Sequence, residues 1–146
     1  VRIVAVCTGN VARSPALECL LQEGLAGVEV RSAGVGDKAV AGLRMKPYMR
    51  MILGREGFGD FAESHRSFVL RGEEAIAPDL FVAVSRVHVR KLGGMFPEVP
   101  VLLCDPIIPD PAFGGLDAYE EAWNLIQTAS DDMIRRIESE DWGSCE

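Results

Sequence analysis

The chain has 146 residues, 48% of them hydrophobic and 25% charged, with a formal net charge of −7. That balance is ordinary for a globular protein, of a length expected to form one domain over residues 1–146 that buries about 70% of its unfolded surface. An acidic chain is a poor partner for nucleic acid. With no run near ~18 apolar residues and no basic segment ahead of an apolar core, neither a membrane span nor a secretory leader is expected.

The first element is the β-branched run Ile3-Val4-Ala5-Val6, which predicts a buried strand leading into Cys7. Pro15 suits the first turn of a helix, and Ser14 before it is a good N-cap. Cys7 is therefore expected at the carboxyl end of a strand and Arg13 at the mouth of a helix. The loop between them, Thr8–Ala12, is long enough to arch around an anion with backbone N–H groups pointing inward. The helix N-terminus behind adds partial positive charge. Such surroundings favour a thiolate, and the Arg13 fork matches two oxygens of a phosphate. The plain alternative is a buried structural cysteine followed by a solvent-facing arginine. A C-x5-R-S loop between strand and helix favours a nucleophile in an oxyanion cradle.

Cys7-Thr8-Gly9-Asn10-Val11-Ala12-Arg13-Ser14-Pro15 resembles the signature loop of the low-molecular-weight protein tyrosine phosphatases. The resemblance implies that Thr8, Gly9, Asn10, Val11, Ala12 and Ser14 bind phosphate beside the catalytic Cys7 and Arg13. The residues downstream extend the likeness over nearly the whole chain.

Leu17, Leu20, Leu21 and Leu25 fall at helical spacing, predicting an amphipathic helix that ends near Gly24–Gly27, with Cys19 in it as a buried structural thiol. Val28–Gly34 reads as a second strand running into a turn. Its Ser32-Ala33-Gly34 is similar to a family triplet whose serine braces the phosphate loop. Residues 35–43 are rich in Gly and Ala and read as loop. In the family this loop walls the substrate cleft, and Asp37 and Lys38 stand where some members carry an aromatic residue. Pro47–Leu53 predicts a helix closed by Gly54 or Gly57, and residues 56–64 read as mobile and polar. Ser64-His65-Arg66-Ser67 follows, its histidine resembling the one that supports the phosphate loop in the family.

Leu80–Val84 predicts a third strand, Ser85 an N-cap for a helix to about Met95, and Pro100–Leu103 a fourth strand. Strands alternating with helices imply parallel βαβ crossovers. The expected fold is an α/β, three-layer α/β/α sandwich on a central four-stranded parallel sheet, with the phosphate-binding loop after the first strand. Ligands then bind beyond the carboxyl ends of the strands, where Cys7 lies. Residues 104–115 form a Pro- and Gly-rich loop with two Asp-Pro pairs. Asp110-Pro111, followed by Ala112-Phe113-Gly114-Gly115, resembles the family's acid loop; Asp105 is the competitor, and an Asp before Pro is commonly only a turn former. Val11, Lys38 and Phe113 are the candidate cleft residues. Asp117 with Glu120 reads as a capping pair for a last helix whose stripe is Tyr119, Trp123, Ile126, Met133 and Ile137. The tail beyond Asp141, with Cys145, is expected to be frayed and exposed.

The chemistry implied is hydrolysis of phosphotyrosine and small aryl phosphates by double displacement. Cys7 attacks phosphorus, Arg13 and the loop amides hold the equatorial oxygens, and Asp110 protonates the leaving oxygen, then activates water. Ser14 assists the thiolate, while Asn10, in a left-handed conformation, joins Ser14, Ser32 and His65 in holding the loop. No cofactor and no metal is expected. The alternatives are phosphoarginine hydrolysis, where relatives carry threonine at the position of Val11; arsenate reduction, which needs further thiols and finds none between Cys19 and Cys104; and a non-catalytic phosphate-binding relative. Cysteines at 7, 19, 104 and 145 without CxxC spacing point to a reducing, cytoplasmic setting. Residues 31–95 hold 11 of the 15 basic residues and 7 acids, a balance that can help attract a phosphoprotein. A monomer, or at most a weak dimer, is expected, without a membrane or nucleic-acid partner.

Overall fold

A computed structural model describes residues 1–74 and 77–139. The chain order is β1 (Arg2–Cys7), α1 (Arg13–Gly24), β2 (Glu29–Gly34), α2 (Pro47–Arg55), α3 (Gly59–Ser64), β3 (Leu80–Ala83), α4 (Arg86–Met95), β4 (Val101–Leu103) and α5 (Leu116–Glu138). The strands form one parallel sheet in the order β2-β1-β3-β4. β1 is central, with Cys7 opposite Gly34 on one side and Val6 opposite Ala83 on the other. The segments following β1, β2 and β3 are thereby brought together at the carboxyl edge of the sheet.

Side chains alternate across a strand, so β1 feeds two cores. Ile3, Ala5 and Cys7 pack with Leu17 and Leu21 of α1, Met49, Ile52 and Leu53 of α2, and the α5 stripe Tyr119, Trp123, Ile126, Met133 and Ile137. Val4 and Val6 face the other way, onto Phe81, Leu92 and Phe96, where α4 covers the sheet. The expected sandwich and its four parallel strands are thus present. Among the described residues no helix is long and apolar enough to cross a membrane.

Four local expectations are corrected. Residues 56–64 are not a polar loop throughout: Gly59–Ser64 is a short helix that buries Ala62, with Phe58 and Phe61 packed on the core. Ser14 does not cap α1, which starts at Arg13 after Ala12; its hydroxyl has a stronger claim elsewhere, described below. Ser85 does precede α4, but its hydroxyl makes no cap bond and goes to His88 instead. Asp117 and Glu120 form no capping pair. Gly115 occupies the N-cap of α5, and Glu120 pairs side by side with the Arg55 guanidinium at 2.5 and 3.0 Å, a geometry two planar groups favour. The tail beyond Asp141, with Cys145, lies outside the described residues.

Candidate active site

The loop Thr8–Ala12 is suspended by its carbonyls. Cys7 O accepts from Val35 N at 3.1 Å, Thr8 O from Gly36 N at 2.9 Å, and Val11 O from Lys46 N at 2.8 Å. Asn10 O lies 2.8 Å from His65 Nε2, which donates to it. Because a trans peptide carries its N–H opposite its C=O, carbonyls drawn outward turn the amides of Thr8, Gly9, Val11 and Ala12 toward the inside of the arch. That is the geometry of an anion nest. The scaffold needs close approach to do this: a Cβ on Gly34 would meet Thr8 O at 2.7 Å and Gly9 C at 3.0 Å.

Asn10 is the internal brace. It is fully buried and left-handed at φ 60°, a conformation Asn tolerates. Its Nδ2 donates to Ser14 Oγ at 2.8 Å and Ser32 Oγ at 2.9 Å, and its Oδ1 accepts from Phe68 N at 2.8 Å. Each hydroxyl, having accepted, passes its own proton on. Ser32 donates to Glu18 Oε1 at 2.5 Å; Ser14 lies 3.0 Å from Cys7 Sγ, nearer than its other acceptor, Ala33 O at 3.4 Å. Asn10 N also donates to the sulfur at 3.3 Å. The Asn10 amide, and the Ser14 hydroxyl when its proton turns to sulfur, thus face Cys7 Sγ at the floor of the arch.

Burial holds the Glu18 carboxyl above its usual range, against the Ser32 hydrogen bond and the Arg31 charge, which act downward. Burial also lowers His65, with Arg66 adding to the effect and the Asn10 carbonyl opposing it.

Arg13 is 6% exposed, so its guanidinium is largely withdrawn from water. Nη1 donates to Ile108 O at 2.9 Å, while Nη2 stands 3.4 Å from Thr8 Oγ1 and 3.5 Å from Asp110 Oδ2. Asp110 is half exposed, and its Oδ1 accepts from Ala112 N at 3.0 Å, a tight Asx-type turn. Of the two loop aspartates it is Asp110 that pairs with Arg13; Asp105 is exposed and precedes a cis peptide to Pro106.

The cleft candidates are scattered. Val11 is half-buried in the loop, Phe113 is fully exposed beside Asp110, and Lys38 is exposed two residues beyond the Gly36–Thr8 bond, its neighbour Asp37 pairing with Lys91. A groove of about 590 Å³ opens elsewhere, behind the loop along the β2 edge. It reaches Glu18, Ser32 and His65 but not Cys7, Arg13 or Asp110. Cys19 and Cys104 are buried, which pushes both thiols up to about 12 and leaves them poorly suited to a thiol relay.

The sequence of residues 2–142 matches the family model described as low molecular weight phosphotyrosine protein phosphatase. The chain belongs to this family. It is a phosphatase family, and the sheet, loop and helices above are its cysteine-based fold. A low molecular weight protein-tyrosine-phosphatase, Etp, of Escherichia coli strain K12 is 33% identical over 143 residues, covering 92% of this chain and 93% of that one. Among solved structures, the YwlE arginine phosphatase from Geobacillus stearothermophilus superposes with a TM-score of 0.82 at 29% identity, over 99% of this chain and 97% of that one. Vibrio vulnificus Wzb in complex with benzylphosphonate gives 0.83 at 25% identity, over 92% and 97%. Family members thus carry names for two phosphorylated substrates, tyrosine and arginine.

Residues that sequence reasoning missed are Glu18, Ile108, Lys46 and His88. Ile108 and Lys46 act through backbone groups and leave no signal in side-chain identity. His88 did leave one: it follows the strand adjacent to β1, so its turn lands beside the phosphate loop.

Proposed function

We propose that this chain hydrolyses phosphate monoesters, phosphotyrosine in proteins and small aryl phosphates, through a phosphocysteine at Cys7. The observation that carries the reading is one connected set of groups. Cys7 Sγ lies under an arch of inward amides, and a single guanidinium links that arch, through Thr8, to Asp110. In the first step the thiolate attacks phosphorus in line and the P–O bond to the leaving group breaks. Arg13 and the loop amides bind the equatorial oxygens as their charge redistributes. Asp110, protonated, gives its proton to the departing oxygen. In the second step the Asp110 carboxylate takes a proton from water, which attacks phosphorus and releases Cys7 as thiolate, with Ser14 Oγ donating to the sulfur. The same reading takes the protein as a cytoplasmic monomer acting on phosphoproteins.

Phosphoarginine is the second reading, supported by the likeness to the Geobacillus stearothermophilus enzyme named for that substrate. Val11 weighs against it here. An isopropyl group on the loop offers an aromatic ring an apolar contact and offers a guanidinium no hydrogen bond. The test is release of phosphate from p-nitrophenyl phosphate, a phosphotyrosine peptide and a phosphoarginine peptide, with and without Cys7→Ser. The reading expects turnover of the first two, a kcat/KM for phosphoarginine at least tenfold lower, and less than about 1% activity in Cys7→Ser. Preference for phosphoarginine would overturn the substrate assignment. Activity surviving in Cys7→Ser would overturn the mechanism.

A further inference from the structure

His88 is an imidazole, 3% exposed, for which the chemistry above has no use. It sits in the first turn of α4, and both ring nitrogens are engaged: Nε2 lies 2.8 Å from Thr8 Oγ1, and Nδ1 lies 2.9 Å from Ser85 Oγ. Thr8 Oγ1 is also 3.4 Å from Arg13 Nη2, the nitrogen that pairs with Asp110.

Donor and acceptor capacity fixes the direction of this chain. A guanidinium only donates, so Thr8 Oγ1 accepts from Arg13. Of the two partners of Thr8 Oγ1, only His88 Nε2 can take the threonine proton, so satisfying that proton leaves Nε2 as the unprotonated nitrogen. The ring proton therefore sits on Nδ1 and is donated to Ser85 Oγ. Thr8 and Ser85 are uncharged; the charged groups facing the ring are Arg13 from α1 and Asp110 from the loop after β4. Burial, reinforced by Arg13 and opposed by Asp110, brings the imidazole down to about 4, so it is neutral near pH 7. The ring is neutral, and its hydrogen-bond partners choose the tautomer: Nε2 bare toward Thr8, Nδ1 protonated toward Ser85.

We propose that His88 is a positioning residue for the phosphatase reaction: as the neutral Nδ1–H tautomer it aims the Thr8 hydroxyl so that an oxygen lone pair faces Arg13 Nη2. The inference rests on the proposed function. Arg13 Nη1 is tied to Ile108 O, and Nη2 stands between Thr8 Oγ1 and Asp110 Oδ2. With a neutral acceptor held at Thr8, Nη2 is shared between the arch and Asp110. Without it, Nη2 turns to the Asp110 carboxylate alone, which removes a donor from the arch. His88 touches neither substrate nor sulfur; it acts through Thr8.

The test combines spectra, binding and kinetics. Long-range ¹H–¹⁵N spectra of the full chain between about pH 6 and 8 should show His88 protonated at Nδ1 and bare at Nε2. Thr8→Val should shift the Nε2 resonance and leave Nδ1–H in place. His88→Leu and Thr8→Val should each lower kcat/KM for p-nitrophenyl phosphate about tenfold and weaken inorganic phosphate binding. The double variant should lose no more than the worse single, because both break one chain of hydrogen bonds. His88→Gln, whose amide oxygen can accept from Thr8, should recover most of the loss. An Nε2–H tautomer, losses that multiply in the double variant, or Thr8→Val within twofold of the parent would each overturn the proposal. If His88→Leu fails to fold, Thr8→Val and His88→Gln still decide it. If the parent chain hydrolyses nothing, the phosphatase reading falls, while the tautomer and phosphate binding still read His88.

Discussion

Replacing Gly34 with alanine tests how the phosphate loop is held. Gly34 pairs with Cys7 at the end of β1, and its Cα faces the back of the loop. A Cβ there would lie 2.7 Å from Thr8 O, 3.0 Å from Gly9 C and 3.2 Å from Asn10 N, all of them backbone atoms. No rotamer can relieve such contacts. Bringing the shortest one out to 3.4 Å, the onset of ordinary contact, moves the Thr8 peptide by about 0.7 Å. Overpacking of this kind costs about 1–3 kcal/mol. The displaced atoms are the amide cradle itself, and a misplacement near 1 Å costs on the order of 10²-fold in rate. Gly34→Ala should therefore lose about 10- to 100-fold in kcat/KM for p-nitrophenyl phosphate, together with several degrees of Tm. Gly93→Ala is the control. It lies in α4 with nothing within 4 Å of the new Cβ, and should leave the rate unchanged and stability equal or slightly raised. Gly34→Ala with a rate within twofold of the parent and the same Tm would refute the claim that the loop is pinned from β2.

Asp110→Asn should slow aryl phosphates with poor leaving groups by about 10²–10⁴-fold and those with good ones far less; a larger loss from Asp105→Asn would show that the wrong loop aspartate had been assigned. Arg13→Lys should be severely damaging, since a point charge cannot bridge Ile108 O, Thr8 and the phosphate at once; near-parental kcat/KM would contradict that role. Val11→Thr should raise phosphoarginine turnover relative to phosphotyrosine, and an unchanged ratio would remove Val11 from the specificity argument. His88, lowered from 6.5 to about 4, binds fewer protons folded than unfolded between those values, so its contribution to stability is complete above about pH 6.5 and lost as pH falls toward 4. Urea unfolding at pH 7 and 5 should show that decline, reduced in His88→Gln; equal declines in the two proteins would count against it. Peroxide should convert Cys7 to forms that dithiothreitol restores poorly, because no second cysteine stands in the loop Thr8–Ala12 to capture a sulfenic acid as a disulfide; Cys7 found linked to another cysteine by intact mass and peptide mapping would identify a resolving thiol.

The parts legible in the sequence were those whose chemistry is local. Cys7, the loop and Arg13 are contiguous, and a β-branched run before a helical pattern places them without knowledge of the rest. The alternation of strands and helices likewise implied the parallel sheet. Ser32 and His65 reach the loop across 22 and 55 positions, and only family resemblance pointed to them. Misreadings arose where a polar side chain had two possible partners. Ser14, Ser85 and Glu120 all looked like helix caps, and each found a better bond: to sulfur, to an imidazole and to Arg55. Local propensity yields to a tertiary partner of better geometry, in the interior for Ser14 and at the surface for Glu120. His88 is far from the loop along the chain, and only the strand order, which puts the turn after β3 beside the loop after β1, brings the two together.

The central claim is a covalent phosphoryl enzyme at Cys7, and trapping it is the direct measurement. The chain bearing Asp110→Asn, mixed with p-nitrophenyl phosphate and quenched in acid within the first turnovers, should gain one phosphoryl group by intact mass. Peptide mapping should place that group on Cys7, and Cys7→Ala, which leaves no nucleophile at that position, should gain none under the same conditions. A burst of p-nitrophenol equal to the enzyme concentration should accompany it. Turnover with no phosphoryl enzyme and no burst, or a phosphoryl group on any residue other than Cys7, would contradict the account.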